Sequence, residues 1–365
     1  MFPLPAKYGK GVMRMRRMIL LQASVGIALV LACAMAILAA LASAPAVTAA
    51  SIDHGASFAV RCDFIPSHRA QDDPIKFPGQ PGASHNHDFF GNITTNAKST
   101  YQSMTAAGAT STCSRPEDTA GYWIPTVSWK DSTGKLTTLQ SNRGVFYYRA
   151  GLKDYRTVQP FAPDLRDINF DRITWFCGIH DNGVGSATPP TRCSGGVLSL
   201  KIVFPDCVAK ATGDLSDTNL YEPVPSTSNY RAGALKNKVT GEVIDHETGQ
   251  VIDSPDHMSH MGRSKLQNGA RVCPSAYPIP VPTLTVNISF PMPTTSGKVV
   301  LSSDAMGVPV HADLWNTWNQ DKAFVPNPPD GRGYGGLKAL VKHCINEVPP
   351  DQGRPVECRA PSASG

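Results

Sequence analysis

The chain has 365 residues, of which 41% are apolar and 17% charged, with a formal charge of +5. That length suits one large domain or two modest ones. Five of the 34 basic residues and none of the 29 acidic ones fall in the first fifty positions, so the remainder carries 29 of each and nets zero, which removes the electrostatic support for a nucleic-acid partner.

The first fifty residues read as a leader. Lys7, Lys10, Arg14, Arg16 and Arg17 precede an apolar run from Ile19 to Leu41, and small residues follow up to Ala49. A basic start, an apolar stretch and an alanine-rich exit are the pattern of a secretory signal peptide cleaved near Ala49. The run is also long enough to span a bilayer, so an uncleaved anchor is the alternative. Either way the rest lies outside the cytoplasm, as a secreted protein or an anchored one, with no further membrane contact. Eight cysteines follow the leader: Cys62, Cys113, Cys177, Cys193, Cys207, Cys273, Cys344 and Cys358. An even set in an exported chain points to disulfides. No CxxC pair is present, which argues against a cysteine zinc site. Proximity suggests Cys177 with Cys193 and Cys344 with Cys358.

Beyond the leader the apolar runs are short and rich in period-two alternation. Phe58 to Cys62, Trp123 to Lys130, Val145 to Tyr148 and Arg172 to Cys177 are strand candidates. So are Leu198 to Phe204, Leu284 to Phe290 and Lys298 to Ser302, with Leu284, Val286, Ile288 and Phe290 the cleanest alternation of all. A hexamer, Thr240 to Asp245, is echoed at Thr248 to Asp253 and reads as a surface hairpin. Leu337, Leu340, Val341 and Cys344 fall at helical spacing. The expected fold is mainly β: a single disulfide-stabilised domain over 51–348, sandwich or jelly-roll-like, with a short C-terminal helix and a tail over 349–365.

Three polar groups stand out. In SHNHDFFGN, residues 84–92, His85 and His87 share a side if the segment is extended. In SPDHMSH, residues 254–260, Ser254 could cap a helical turn that puts His257 and His260 on one face beside Asp256. In HADLWNTW, residues 311–318, His311 and Asp313 share a side if extended. Imidazole and carboxylate bind divalent transition ions and also serve as acid and base without a metal. Taken singly, each histidine has the plainer reading of a loop side chain bonded to backbone.

These pieces, in this order, resemble the domain-of-unknown-function family nineteen ninety-six, DUF1996, of exported fungal and bacterial proteins. The resemblance rests on Phe58 to Cys62, Asp73-Pro-Ile75, Pro78-Gly79, the SHNH turn with Gly91, SPDHMSH, Cys273-Pro274 and His311-Ala-Asp313. It implies an exported single domain in which the three polar groups recur together. On that basis Asp256, His257 and Asp313 are candidate catalytic residues, and His85, His87, His260 and His311 candidate ligands for a divalent transition metal. The stretch from Cys207 to Ser254 departs from the family pattern and reads as an insertion, and the C-terminal helix matches only loosely.

Three functions fit. The first is a hydrolase or other cleaving enzyme on extracellular or cell-wall polysaccharide, with Asp88, Asp256 and Asp313 as the available carboxylates. The second is a non-catalytic carbohydrate- or wall-binding module, and the third a metal-binding exported protein. Trp315 and Trp318 could stack on a sugar or pack in the core. No nucleotide loop, nucleophile elbow or dinucleotide fingerprint occurs. All three groups matter only if remote segments bring residues 85, 257 and 311 into one cleft.

Overall fold

The computed structural model describes residues 56–141, 143–179, 185–326, 333–349 and 354–359, so the leader lies outside the described residues. Nine strands make the main sheet: β1 (Ser57–Ala70), β2 (His87–Gly91), β3 (Gly121–Pro125), β4 (Arg143–Arg149), β5 (Arg166–Asn169), β6 (Ile173–Cys177), β7 (Val197–Val203), β8 (Thr283–Pro291) and β9 (Ala312–Trp315). In space they run β5-β9-β3-β2-β1-β4-β8-β7-β6, every neighbouring pair antiparallel.

β1 sets the shape. Its first half, Ser57 to Asp63, pairs with β4, while Phe64, Arg69 and Ala70 pair with β2 across a register break. Such irregularities bend a strand and increase its twist. The sheet therefore curls, and its two wings pack on each other. Tyr122 of β3 lies 4.1 Å, ring to ring, from Phe146 of β4, and its hydroxyl is 2.6 Å from that of Tyr148. β3 and β4 are not sheet neighbours, so these contacts cross the core. The mainly-β expectation holds: one curled sheet, a short C-terminal helix at Leu337–Val341, and four disulfides.

The clean alternation at residues 284–290 is the spine of the other wing. Leu284, Val286, Ile288 and Phe290 are all buried, and β8 pairs with β4 and β7 along its length. The stretch expected as one strand from Trp123 to Lys130 is two, parted at Thr126. β3 stays in the main sheet, whereas Val127–Asp131 starts a three-stranded sheet with Leu136–Thr138 and Gly297–Leu301. Cys177 with Cys193 and Cys344 with Cys358 are bonded as proximity suggested, and Cys62 joins Cys113, Cys207 joins Cys273.

The hexamer repeat does form a hairpin, but not a surface one. Val243–Ile244 pairs with Val251–Asp253 inside a four-stranded sheet, and these residues are buried. What repeats is turn chemistry. Asn237 Oδ1 accepts from Thr240 N and Asp245 Oδ1 from Thr248 N, each followed by a glycine at positive φ, Gly241 (77°) and Gly249 (69°). Gly91, closing β2, has φ 83°, and a Cβ there would lie 2.2 Å from the Ala120 carbonyl oxygen, so no larger residue fits.

Phe146 is fully buried where the wings meet. Phe146→Ala should cost about 3–5 kcal/mol of unfolding free energy in a urea titration. A loss under about 1 kcal/mol would mean that the two wings do not share a packed core.

Candidate metal centre

Alternation along β2 decides what its side chains meet. Asp88 and Phe90 point one way. Asp88 is held by Arg69 through two bonds of 2.6 and 2.8 Å and by Thr126 Oγ1 at 2.7 Å, and Phe90 joins the main core. His87 and Phe89 point the other way. Register places Phe89, Trp123, Asp313 and Ile168 in one row across β2, β3, β9 and β5. Phe89, Trp123, Ile168 and Trp315 form a second apolar cluster with Ile75 and Met104. The outer face of this wing is therefore covered as well, and the imidazoles lie at the margin of that cover.

His85, His87 and His311 each offer a ring nitrogen within 4.8 Å of the others', and all three are buried. His87 Nε2 and His311 Nε2 are 3.3 Å apart. The opposite nitrogens fix the tautomers. His87 Nδ1 faces the Asp72 carbonyl at 2.9 Å and His311 Nδ1 the Pro309 carbonyl at 2.7 Å. A carbonyl only accepts, so each Nδ1 carries the proton and each Nε2 presents a lone pair. Two lone pairs thus confront each other at 3.3 Å. That contact is repulsive between neutral rings and favourable around a cation, and backbone carbonyls behind the rings are how ligating imidazoles are usually oriented. The Nε2 of His85 is also buried without a hydrogen-bond partner among the described residues.

Asp313 sharpens the argument. Its Oδ2 is 3.6 Å from His311 Nε2, beyond hydrogen-bond range, and both carboxylate oxygens are buried without a hydrogen-bond partner among the described residues. Burial, then the carboxylates of Asp73 and Asp167, push its pKa well above the ordinary value. Burial raises Asp73 and Asp167 too. The imidazoles are displaced the other way. Burial lowers His85, burial with the neighbouring rings lowers His87 strongly, and burial brings His311 to about 4. Neutral imidazoles beside buried carboxylates are a donor set short of a positive charge. Three histidines and a carboxylate suit zinc or another divalent transition ion.

The SPDHMSH residues do not join this group. The segment is a pair of turns rather than a helix, with His257 N bonded to the Ser254 carbonyl, Met261 N to the Met258 carbonyl, and His257 at φ 63°. His257 and His260 therefore do not share a helical face. His257 Nδ1 meets Asp253 Oδ1 at 2.9 Å and His260 Nδ1 meets Ser254 Oγ at 3.0 Å. His257 borders a separate cleft of about 380 Å³ with Tyr230 and Pro255. Asp256 is exposed, and its Oδ1 accepts from Ser254, Met258 and Ser259; against the effect of burial, these bonds hold its pKa far below the usual range. It clamps a turn and is badly suited to donate a proton.

Trp315 and Trp318 are both buried. Trp315 is fully buried, with Nε1 donating to Asp164 and Arg166 stacked over its ring at 4.2 Å. Trp318 meets Phe58 and Tyr148 edge-on in the core. Sequence reasoning missed the Asp72 and Pro309 carbonyls, which no residue type announces. It also missed the charge role of Asp73, although Asp73-Pro-Ile75 was already a recognisable piece. A second close group, Cys62, Cys113 and Asp118, has its sulfurs committed to a disulfide.

A family model described as a domain of unknown function, DUF1996, matches residues 73–234 and 244–318. The chain belongs to DUF1996. The DUF1996 match contains His85, His87, His311 and Asp313 as well as the SPDHMSH turns. It narrows the apparent insertion from Cys207–Ser254 to residues 235–243, where the first turn of the repeat lies, and it leaves Phe58–Cys62 and the C-terminal helix outside. No curated protein and no solved structure matches the chain.

Two outcomes follow for the metal-free protein. Because the folded imidazoles stay neutral at pH values where a free histidine protonates, the unfolded chain takes up protons first, and stability should fall as pH drops from 6.5 towards about 4. Asp313 acts oppositely: its raised pKa costs stability as pH rises past 3.8. Asp313→Asn should thus stabilise the metal-free protein at pH 7 by about 1–3 kcal/mol and much less at pH 3, read by denaturant titration at both pH values. Destabilisation at pH 7 would contradict an unpaired buried carboxylate.

Proposed function

We propose that the protein is an exported metal-binding protein that holds one divalent transition ion through His85, His87 and His311, with Asp313 beside it. The observation that carries this reading is the confrontation of His87 Nε2 and His311 Nε2 at 3.3 Å, each ring locked from behind by a backbone carbonyl. Four disulfides support an oxidising destination. Among the described residues no helix is long and apolar enough to cross a membrane.

Three nitrogen ligands are the pattern of ions that keep a position for water or substrate. A bound ion would lower the pKa of such a water, and Asp313 is placed to orient it, so hydrolysis of an extracellular or cell-wall polymer is the activity this reading favours. A glycosidase working through two carboxylates alone is less well supported, because Asp256 is tied into an exposed turn and Asp313 is buried.

The purified protein, stripped with chelator and dialysed against zinc, cobalt or copper, should retain one ion per chain by elemental analysis. His87→Ala and His311→Ala should each weaken retention by about 100-fold or more, and His260→Gln by less than about threefold. Cobalt should give a ligand-field spectrum that His311→Ala abolishes. Unchanged retention in both alanine variants would defeat the assignment.

A further inference from the structure

One sizeable cleft lies away from the metal group. It has a volume of about 520 Å³, within the range of small-molecule sites, and shares no residue with the His85, His87, His311 and Asp313 group. It lies past the other end of β9, where Thr317, Asn319 and Gln320 form one wall and Tyr101 and Thr105 another. From His311 to Thr317 an extended chain covers about 20 Å.

The charges of its walls cancel locally. Three cations and three anions line it, and each is paired with another wall residue. Lys322 meets Glu117 at 3.0 Å, Lys338 meets Asp321 at 2.7 Å, and Arg231 meets Glu247 at 3.3 Å. An ionic ligand would have to break such pairs. Hydrogen-bonding groups are nevertheless present. The hydroxyl of Thr105 and the amide of Asn319 belong to exposed wall residues, and the side chains of Thr119, Thr317 and Gln320 also line the cleft, so both donors and acceptors border it. The half-buried ring of Tyr101, together with Pro116 and Pro163, adds apolar surface. A ligand that is uncharged, rich in both donors and acceptors, and apolar on its ring faces matches all three properties.

We propose that this cleft binds a neutral oligosaccharide, independently of the metal group. The two sites lie on the same wing and are joined through β9, so a bound glycan chain would be held near the imidazoles without contacting them.

The test uses the full chain after the leader, both chelator-stripped and zinc-loaded, titrated calorimetrically with cellohexaose, chitohexaose, laminarihexaose and xylohexaose, and with hexagalacturonate as a charged comparator. At least one neutral hexamer should bind, with the same affinity in stripped and loaded protein and with less than about a twofold change on raising salt. Ala107→Trp and Thr105→Trp put bulk into the cleft from exposed wall positions without removing a core contact. Each should weaken binding by about tenfold or more while near-ultraviolet circular dichroism stays native. No binding by any neutral hexamer, binding that survives both tryptophan variants, or tighter binding of hexagalacturonate would each overturn the proposal. Because stripped protein is measured too, the outcome is separate from whether the metal assignment holds.

Discussion

One strand belongs to both wings of the sheet, and the architecture follows from that. β1 leaves β4 and takes up β2 across the break between Phe64 and Arg69. A straight strand would have given a flat sheet with two exposed faces. The bend lets the inner faces of the wings bury Phe90, Tyr122, Phe146 and Tyr148 against one another. It also turns the outer face of β2, β3, β9 and β5 into a second surface, covered by Ile75, Met104 and the segments that carry them. The imidazoles stand where that cover meets the strand ends.

The cost of the arrangement is electrostatic. Most buried ionic groups in the protein have partners: Asp88 has Arg69, Lys153 has Asp206, and Asp164 has Arg166. Asp313 has no hydrogen-bond partner among the described residues, although it lies among side chains that could easily have been apolar. Packing alone gives no reason to keep an unpaired carboxylate next to three neutral imidazoles, because a hydrophobic replacement would be as stable or more so. That imbalance is what supports the proposed cation.

Much of the fold was legible because alternation is a strong signal. β8 and β7 could be read directly from Leu284 to Phe290 and Leu198 to Phe204, since each alternate residue faces the core. β2 was harder, because its outward positions are His87 and Phe89 and both faces are buried, which erases the contrast between apolar and polar sides. The His85, His87, His311 and Asp313 pieces were legible as residue types, and the extended geometry that puts His311 and Asp313 on one side was anticipated. A shared pocket of residues 85, 257 and 311 was the expectation; 85 and 311 do meet and 257 does not, and which strands adjoin, with β3 lying between β2 and β9, cannot be read from the pieces themselves. The SPDHMSH segment misled because serine followed by proline also begins tight turns, and the positive φ of His257 cannot be read from its identity. The choice between stacking and core packing for the tryptophans stayed open in the sequence because burial is decided by the curl of the sheet.

The two facing imidazoles come from positions 224 residues apart. No local fragment of the chain contains both, and neither half can assemble the pair before β9 has docked on β3. A polypeptide threaded unfolded through a membrane would thus arrive with this constellation undone. If the proposed ion is held, it would be taken up from the fluid in which folding finished.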